Sequence, residues 1–286
     1  GMGKKIVFDN DDTFKLHKGH PFYKMHIGMK LMDKFNRNYD MINYQTNSFI
    51  RAADLVTTTT KTLAKEYKEL NSNVAILPNC VNLDDWEEPL RHEDNIVRIG
   101  ISGSTAYTYD FKNIKNYIKE LDERDDVQFI LFGLDDKEDR KKYPKVTKIL
   151  EDEYAFWDTL KNKEHMHWVD RSKYNETLNN LKLDIMLIPR QECYFNRCKS
   201  NVKFLEAAMC EIPVVASSFT DGPYEELDGK NGIKIKDKTK WKEIVDDLIK
   251  NKEKRRAIGK EAKRYVLNNY DIKDHAYKWE EVYKTL

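Results

Sequence analysis

The chain has 286 residues, of which 40% are hydrophobic and 12% aromatic, and this is enough apolar surface for one large domain or two modest ones. Its 50 Lys and Arg residues balance 49 Asp and Glu residues, and the formal net charge of +1 gives no overall field that would favour nucleic acid or an anionic membrane. No apolar run approaches the roughly 20 residues of a membrane-spanning helix, and the N-terminus has no apolar targeting stretch. The sequence therefore predicts a cytoplasmic protein without a transmembrane segment.

The four cysteines do not form closely spaced CxxC pairs, and this argues against a zinc site and against a disulfide framework. No metal site is predicted from them. We expect reduced structural thiols at Cys80, Cys193, Cys198 and Cys210.

Residues 1–90 predict a small α/β domain, because short β-branched runs alternate there with helical patterns, as in parallel sheets with crossover helices. The predicted strands are Ile6 to Asp9, Leu55 to Thr59 and Val74 to Leu77; a long helical region and a helix over Lys61 to Leu70 separate them. Three strands are few for a doubly wound sheet, so this domain is expected to be a partial one on the acceptor side. The acidic stretch from Val81 to Asn95 shows no periodicity and predicts a linker.

Residues 91–270 predict a complete Rossmann-like, doubly wound parallel sheet. Apolar residues recur at helical spacing between its strands and are expected to face the core: Phe111, Ile114, Ile118 and Leu121, then Trp241, Ile244, Val245, Leu248 and Ile249. A helical C-terminal region breaks near Asn268-Asn269, and residues 271–286 are expected to pack back on the N-terminal domain. The six predicted strands are Ile96 to Ser102, Val127 to Phe132, His165 to Val169, Asp184 to Pro189, Ile212 to Ser217 and Gly232 to Ile235.

Two loops of this second domain have residues suited to an anion. Ligands of open parallel sheets sit beyond the carboxyl ends of the strands, where helix N-termini offer unpaired N–H groups. The loop after the first strand holds Gly103, which permits a close backbone approach, and the hydroxyls of Ser104 and Thr105. Small residues also make ordinary tight turns between a strand and a helix. This loop alone is therefore consistent with a phosphate-binding loop and with an ordinary turn.

The loop from Arg190 to Ser200 collects cations and other donors in front of a predicted helix, Asn201 to Met209. A diphosphate there would be stabilised mainly by side chains, because each charge-assisted hydrogen bond contributes about 1.5–3 kcal/mol against about 0.3–1 kcal/mol for the helix dipole. The alternative is a solvated basic loop with Ser200 as the helix N-cap. The donors are Arg190, Asn196, Arg197, Lys199 and Ser200.

Glu206 lies inside the otherwise apolar part of this helix. A carboxylate near the ligand end of the helix could accept hydrogen bonds from a ribose diol. The alternative is a surface pair with Lys203, which would contribute only a few tenths of a kcal/mol.

Read together, these segments resemble a known family. The string KSNVKFLEAAMCEIPVVASSFTDGPYEELDGKNGIKI resembles the donor-domain signature of the glycosyltransferase-four-like superfamily, whose fold is the two-Rossmann-domain (B-type) architecture. Upstream, ADLVTTTTKTLAKEY and ILPNCVNLDDW are similar to the family's last first-domain strand and helix and its interdomain hinge, and IGISGSTAYTYDF is similar to its Gly-Ser loop. The resemblance runs from about Ile50 to Tyr270.

The resemblance implies roles for single residues. Gly103 and Ser104 would approach the donor phosphates, and Lys199 and Ser200 would hold the diphosphate. Tyr107 and Asp110 would flank the sugar, Glu206 would bind the ribose, and the loop with Val169, Asp170 and Arg171 would supply the base pocket. Lys199 and Glu206 are the residues expected to act in the transfer.

Two departures from the family pattern bear on the substrate. The family's sugar-contacting Glu, which is separated from the second Glu of its paired motif by seven intervening residues, corresponds to Cys198 here, with Glu206 as the second Glu. Asn196, Lys199 and Lys203 instead follow an N-x-x-K-S-x-x-K-x-x-E variant typical of polysaccharide and phage-type members. The identity of the sugar, the base and the acceptor, whether a glycan, a lipid-linked molecule or another compound, is consequently open.

The resemblance implies transfer of a sugar from a nucleoside diphosphate sugar, with retention of configuration and without a divalent metal ion or other cofactor. Two alternatives remain. The strand and DxDxT pattern at Ile6 to Thr13 is similar to haloacid-dehalogenase-like phosphatases, with Asp9 as nucleophile, Asp11 as general acid, a magnesium ion, and Asp135 and Asp136 as the late acidic motif. The second alternative is a catalytically silent module that binds a nucleotide sugar. The presence of Cys198 at the position of the family's sugar-contacting Glu is consistent with it.

Overall fold

The structure of the chain is a computed structural model that describes residues 3–16, 20, 21, 23, 41–134 and 137–286. Its strands form two sheets in which every strand pair is parallel. The α/β class predicted from the alternating runs is therefore confirmed. Because the strands are parallel, their carboxyl ends lie at one edge of each sheet.

The smaller sheet has the order β1-β2-β3, with β1 at Val7–Asp9, β2 at Leu55–Thr58 and β3 at Val74–Ile76. Helices α1 (Met41–Ala52) and α2 (Lys61–Lys68) flank these strands in the chain. The start of α2 is fixed by a side-chain cap, because the Thr60 hydroxyl accepts a hydrogen bond of 3.2 Å from the backbone N–H of Leu63. The buried residues of this unit form one small cluster: Ile50, Ala53, Val56, Leu63 and Tyr67, joined by Cys198 from the larger unit.

The larger sheet has six strands in the order β6-β5-β4-β7-β8-β9. This is the 3-2-1-4-5-6 arrangement of dinucleotide-binding sheets, in which the strand order reverses between the first and the fourth strand. A ligand crevice is expected at that reversal, where β4 and β7 lie side by side. The strands are β4 (Val97–Ser102), β5 (Val127–Phe132), β6 (Lys163–Met166), β7 (Ile185–Ile188), β8 (Val214–Ser217) and β9 (Ile233–Ile235).

Helices cover this sheet and connect its strands. Short 3-10 segments lie at Leu83–Asp85, Thr105–Ile114 and Lys238–Lys240. The α-helices are α3 (Lys115–Asp122), α4 (Lys137–Lys142), α5 (Pro144–Ile149), α6 (Glu151–Asp158), α7 (Arg171–Asn180), α8 (Tyr194–Cys198), α9 (Val202–Met209), α10 (Trp241–Lys250), α11 (Lys252–Asn269) and α12 (Ile272–Tyr283).

Side chains of the larger sheet alternate between two cores, one on each face. On β5, Phe129 and Leu131 join one buried cluster, whereas Ile130 and Phe132 join the other. The predicted helical stripes face the first core: Phe111, Ile114, Ile118, Leu121, Trp241, Val245, Leu248 and Ile249 are buried, with Ile244 packed against them. The period of the hydrophobic pattern thus predicted correctly which faces of these helices are buried.

The edge strand β6 is displaced from its predicted position. The sequence pattern indicates His165 to Val169, but the strand spans Lys163–Met166, with Lys163 paired to Phe129. An edge strand is only half covered, so its residues need not be apolar and give no pattern to follow. The apolar Trp168, which suggested the longer strand, lies in the loop beyond it with 71% of its surface exposed.

The C-terminal region breaks where the sequence predicts. Helix α11 ends at Asn269 and α12 begins at Ile272. At this break the backbone N–H of Val81 donates to the Tyr270 carbonyl at 2.9 Å, and Lys273 pairs with Asp84 at 2.7 Å, so the region is tied to the linker. The packing of residues 271–286 on the N-terminal domain stays a prediction. Within the described residues, no helix combines the length and apolarity that crossing a membrane requires.

Candidate functional site

The two loops singled out in the sequence meet at the reversal of strand order. Strand β4 ends at Ser102 and β7 ends at Ile188, and both loops leave the same edge of the sheet. In the first turn of α9, the Lys203 ammonium donates a hydrogen bond of 2.6 Å to the Ser102 carbonyl oxygen. The start of α9 therefore faces the loop at Gly103 and Ser104.

Gly103 lies at the closest point between the two loops. Its φ angle of 140° is in the region that favours glycine. A Cβ atom at this position would lie 2.9 Å from Cδ2 of Tyr107 and 3.2 Å from Nζ of Lys203. Only glycine therefore fits here, and the side chains of Tyr107 and Lys203 lie directly against it. Ser104 precedes the Thr105–Ile114 segment and has no side-chain capping bond of its own.

Three cations surround the ring of Tyr107. The Arg190 guanidinium lies 4.6 Å from the ring centroid, and the ammonium groups of Lys203 and Lys199 lie 5.5 Å and 5.7 Å from it. Burial lowers the pKa of Lys203 to about 8, an effect that the nearby carboxylate of Glu206 opposes. These cations lie close together and are partly withdrawn from water, so a bound anion would stabilise their charged forms.

Arg190 belongs to a buried network with Asp110 and Asn196. The guanidinium of Arg190 donates to Asp110 at 3.1 Å and to the Asn196 side-chain oxygen at 3.4 Å, and the Asn196 amide donates to Asp110 at 2.7 Å. Asp110 also accepts from the backbone N–H of Gln191 at 3.0 Å. The network ties the Thr105–Ile114 segment to the loop after β7. Asp110 and Asn196 thus lie beneath the cluster of cations with their polar atoms engaged by protein, and their predicted roles at the sugar stay predictions.

Glu206 faces β4 and the loop after β6. Its carboxylate accepts a hydrogen bond of 3.0 Å from the Tyr174 hydroxyl, and Tyr174 stacks on Phe132 with ring centroids 5.3 Å apart. Burial raises the pKa of Glu206, and Lys203 and the Tyr174 hydroxyl act against that rise. The alternative of a solvent-exposed pair of Lys203 and Glu206 does not fit, since both side chains are withdrawn from solvent, and the ribose-binding role of Glu206 stays a prediction.

A cleft of about 1190 Å³ opens beside Glu206. Val169 and Arg171 line it, as the sequence predicts for the base pocket, whereas Asp170 caps α7 through a 2.9 Å hydrogen bond from the Ser172 N–H. Sequence reasoning missed several of the lining residues. Tyr174 could have been found from its place one turn into the helix that follows this loop. The missed residues are Asp85, Glu87, Trp168, Tyr174, Asn175, Glu176, Asn179 and Val202, with Asn79 and Cys80 from the hinge.

Lys199 and Ser200 lie at the boundary between the two units. The Lys199 ammonium is bonded to the Asp12 carboxylate of the smaller unit and lies 4.3 Å from the ring centroid of Phe195. The Ser200 hydroxyl accepts a hydrogen bond of 2.8 Å from the hinge residue Asn79. The helix cap proposed for Ser200 is wrong, because Asn201 occupies the N-cap position.

Arg197 is not brought to this cluster. It lies on α8, a short helix inside the region that the sequence predicts as a loop, and pairs with Glu192 at 2.5 Å. Its side chain lines a different cavity, of about 670 Å³, together with Lys61 and Glu66. The prediction that Arg197 joins Lys199 at one anion site is therefore not supported by this geometry.

The two aspartates of the phosphatase alternative have different surroundings. Asp9 accepts a hydrogen bond of 2.5 Å from the Thr57 hydroxyl within the smaller sheet, whereas Asp11 lines the cleft. Burial raises the pKa of Asp11, and the neighbouring Asp12 acts in the same direction. Asp135 and Asp136 lie outside the described residues. In the described part of the chain, no three His, Cys, Asp or Glu side chains are grouped so as to hold a metal ion.

Comparisons with solved structures show the fold. Sucrose-phosphate synthase from Thermosynechococcus elongatus matches with a TM-score of 0.61 at 14% identity, over 91% of this chain and 65% of that one. TarM from S. aureus matches with a TM-score of 0.59 at 17% identity, over 87% of this chain and 47% of that one. HepE from Anabaena, in complex with UDP and glucose, matches with a TM-score of 0.66 at 11% identity, over 99% of this chain and 72% of that one. This chain thus spans less than two thirds of the first two proteins.

The parallel sheets, with the reversal of strand order between β4 and β7, have the B-type glycosyltransferase architecture of these structures. A sequence profile described as glycosyl transferase-like matches residues 112–281, which is more than half of the chain. The chain therefore belongs to the glycosyl transferase-like family. A comparison with curated proteins finds no significant sequence match.

Proposed function

We propose that the chain takes part in transferring a sugar from a nucleoside diphosphate sugar to a glycan or another acceptor. The observation that carries the proposal is the group of three cations, Arg190, Lys199 and Lys203, held around Tyr107 next to Gly103. A diphosphate has the charge and size to bind there, and a close backbone approach at Gly103 suits phosphate oxygens. Family membership points to the same reaction class.

The cleft beside this cluster suits the nucleoside. Its wall contains Val169 and Arg171 from the loop after β6, and the Glu206 carboxylate lies between that loop and the cations. A ribose diol could donate to Glu206, and a base could pack on the loop. The complex of HepE with UDP and glucose makes a uridine diphosphate sugar a reasonable first donor to test.

In the proposed reaction, the bond between the anomeric carbon of the sugar and the diphosphate oxygen breaks, an acceptor hydroxyl bonds to that carbon and loses its proton, and negative charge builds up on the leaving diphosphate. Lys199, Lys203 and the N–H groups at the start of α9 would stabilise this charge, and they are held in place before the reaction begins. We propose that the transfer requires no divalent metal ion, because the side-chain cations supply the electrostatic stabilisation. Retention of configuration is proposed from the family resemblance alone.

A catalytically silent binding module is the second candidate. One observation favours it: Cys198, which stands where the family has a sugar-contacting carboxylate, is fully buried and packs in the apolar cluster of the smaller unit. Such a module would bind the nucleotide sugar without hydrolysing or transferring it. A phosphatase would instead hydrolyse a phosphate monoester with magnesium and lose this activity on the change Asp9→Asn.

The proposal is tested by a thermal-shift panel of uridine, guanosine, adenosine and thymidine diphosphates. A ligand at 100 times its dissociation constant stabilises the folded state by about 2.7 kcal/mol, so one base should raise the melting temperature clearly. For that nucleotide, Lys199→Ala should weaken binding at least about tenfold in calorimetry, since it removes a charge-assisted hydrogen bond. No stabilisation by any of the four, or unchanged affinity in Lys199→Ala, would contradict the assignment.

A further inference from the structure

The loop that precedes α9 offers the donor sugar no carboxylate. Cys198 is fully buried against Val56, Leu63 and Tyr67, and its backbone carbonyl accepts a hydrogen bond of 3.1 Å from the Thr60 hydroxyl. The remaining acid of the loop, Glu192, is paired with Arg197 away from the cations. If a carboxylate contacts the sugar in this protein, it comes from another part of the chain.

Asp12 is a carboxylate that reaches the cations from the smaller unit. It is bonded to the ammonium of Lys199, although the two residues are 187 positions apart in the sequence. The Asp12 side chain is 39% exposed and that of Lys199 is 12% exposed. Asp12 therefore contacts the cation and still faces open space, and within the described part of the chain its second carboxylate oxygen makes no hydrogen bond.

The backbone around Asp12 is held in place by buried groups. The Tyr67 hydroxyl donates to the Asp12 carbonyl oxygen at 2.6 Å, and the Asn10 side-chain amide donates to the same oxygen at 2.8 Å. The next residue, Thr13, is buried and donates to the buried Glu66 carboxylate at 2.9 Å. These bonds fix the direction from which the Asp12 side chain approaches Lys199, so its position does not depend on Lys199 alone.

We propose that Asp12 supplies the sugar-facing carboxylate of the donor site, across the boundary between the two units, in place of the carboxylate that is absent at Cys198. This inference rests on the proposed function. The Lys199 ammonium would lie between the diphosphate and the Asp12 carboxylate and contact both. The second oxygen of Asp12 would accept hydrogen bonds from hydroxyl groups of the sugar. The sugar class that fits is neutral and rich in hydroxyls, because a carboxylate repels an acidic sugar such as a uronic acid.

The test compares Asp12→Asn with the unchanged protein, using UDP, UDP-glucose and UDP-glucuronic acid, or the corresponding set for the base that the nucleotide panel selects. The change should leave affinity for the nucleotide alone within about threefold. The ratio of the affinity for UDP-glucose to the affinity for UDP should fall at least about fivefold, because a charged carboxylate accepts stronger hydrogen bonds than a neutral amide does. The difference between the affinities for UDP-glucose and for UDP-glucuronic acid should also become smaller. Asp12→Glu keeps the charge and should retain the discrimination against glucuronic acid.

Asp9→Asn is the matched control, since Asp9 is on the same segment and pairs with Thr57 instead of a cation. Its binding of all three ligands should equal that of the unchanged protein. The inference is overturned if Asp12→Asn changes the affinities for UDP and UDP-glucose by one common factor or not at all. If Asp12→Asn fails to fold, loss of the discrimination against glucuronic acid in a folded Asp12→Glu would overturn it as well. Failure of the unchanged protein to bind any of the nucleotides would instead refute the proposed function, so the two failures are distinguishable.

Discussion

Lys203 is the residue at which pH should act most directly. Burial lowers its pKa to about 8 in the folded protein, from an ordinary value of 10.5. Between these two values the unfolded chain binds more protons at this position than the folded chain does. Stability contributed by Lys203 therefore rises as pH increases from 8 to 10.5, and below pH 8 the buried charge lowers stability by its full amount.

Lys203→Met separates this effect from all other titrations. We expect the unfolding free energy of the unchanged protein, relative to that of the variant, to rise between pH 8 and pH 10.5 in urea denaturation. UDP binding should have the opposite pH dependence, because a diphosphate favours the protonated lysine. The affinity of the unchanged protein for UDP should fall by up to about tenfold per pH unit above pH 8, and the affinity of the variant should not. Parallel stability curves for the two proteins would refute the shifted pKa.

At the scale of elements, helix α11 packs against the turn that joins α9 to β8. Gly259 of α11 is buried, and a Cβ atom there would lie 1.9 Å from the Glu211 carbonyl oxygen and 2.7 Å from its carbon. Backbone atoms cannot rotate away as a side chain can, so the helix would have to move. The close contact matters for the site, because α9 presents Lys203 and Glu206 from its opposite end.

Gly259→Ala should therefore destabilise the protein by about 2–4 kcal/mol, even though alanine is the better helix former. Lys260→Ala, on the exposed neighbouring position, should change stability by no more than about 0.5 kcal/mol. Denaturant titration of the two variants measures the difference. A Gly259→Ala variant as stable as the unchanged protein would show that α11 and the turn are not in contact at this point.

Elements with a strong pattern were predictable, and contacts between distant elements were not. The core strands and the stripe at Ile118 and Leu121 follow hydrophobic periodicity, so their type and buried face were visible in the sequence. The edge strand β6 is polar, and α8 is only one turn long, so neither has a pattern. The pairing of Lys199 with Asp12 depends on how two sheets are placed, and no local preference encodes it.

At the scale of the whole molecule, the smaller unit depends on the larger one. Its three-stranded sheet has a small buried cluster, and that cluster includes Cys198 of the larger unit. Three parallel strands with so little core bury too little area to be stable alone. Polar contacts add to the junction, since Glu66 of α2 accepts hydrogen bonds of 2.9 Å from both Thr13 and the Tyr194 hydroxyl of the larger unit. The candidate site includes Lys199, which contacts Asp12 across this junction, so the geometry there depends on both units remaining folded together.

Glu66→Ala should uncouple the unfolding of the two units. The change leaves the buried Thr13 hydroxyl without its acceptor and removes the hydrogen bond from the partly exposed Tyr194, and it should destabilise the smaller unit by about 2–4 kcal/mol. All five tryptophans, at positions 86, 157, 168, 241 and 279, lie outside the smaller sheet and its helices, so their fluorescence reports the rest of the chain. Amide exchange in β2 and α2 reports the smaller unit.

In the unchanged protein both signals should be lost at the same urea concentration, whereas in Glu66→Ala exchange protection should be lost first. Glu69→Ala is the matched control, because Glu69 is on the same helix but is largely exposed and has only a 3.7 Å contact with Lys15. An exposed pair at that distance contributes little, so both signals should stay together in that variant. If Glu66→Ala also loses both signals together, and at the urea concentration of Glu69→Ala, then the buried carboxylate does not hold the units to each other, and the apolar cluster around Cys198 and the other polar contacts, such as that of Lys199 with Asp12, join them.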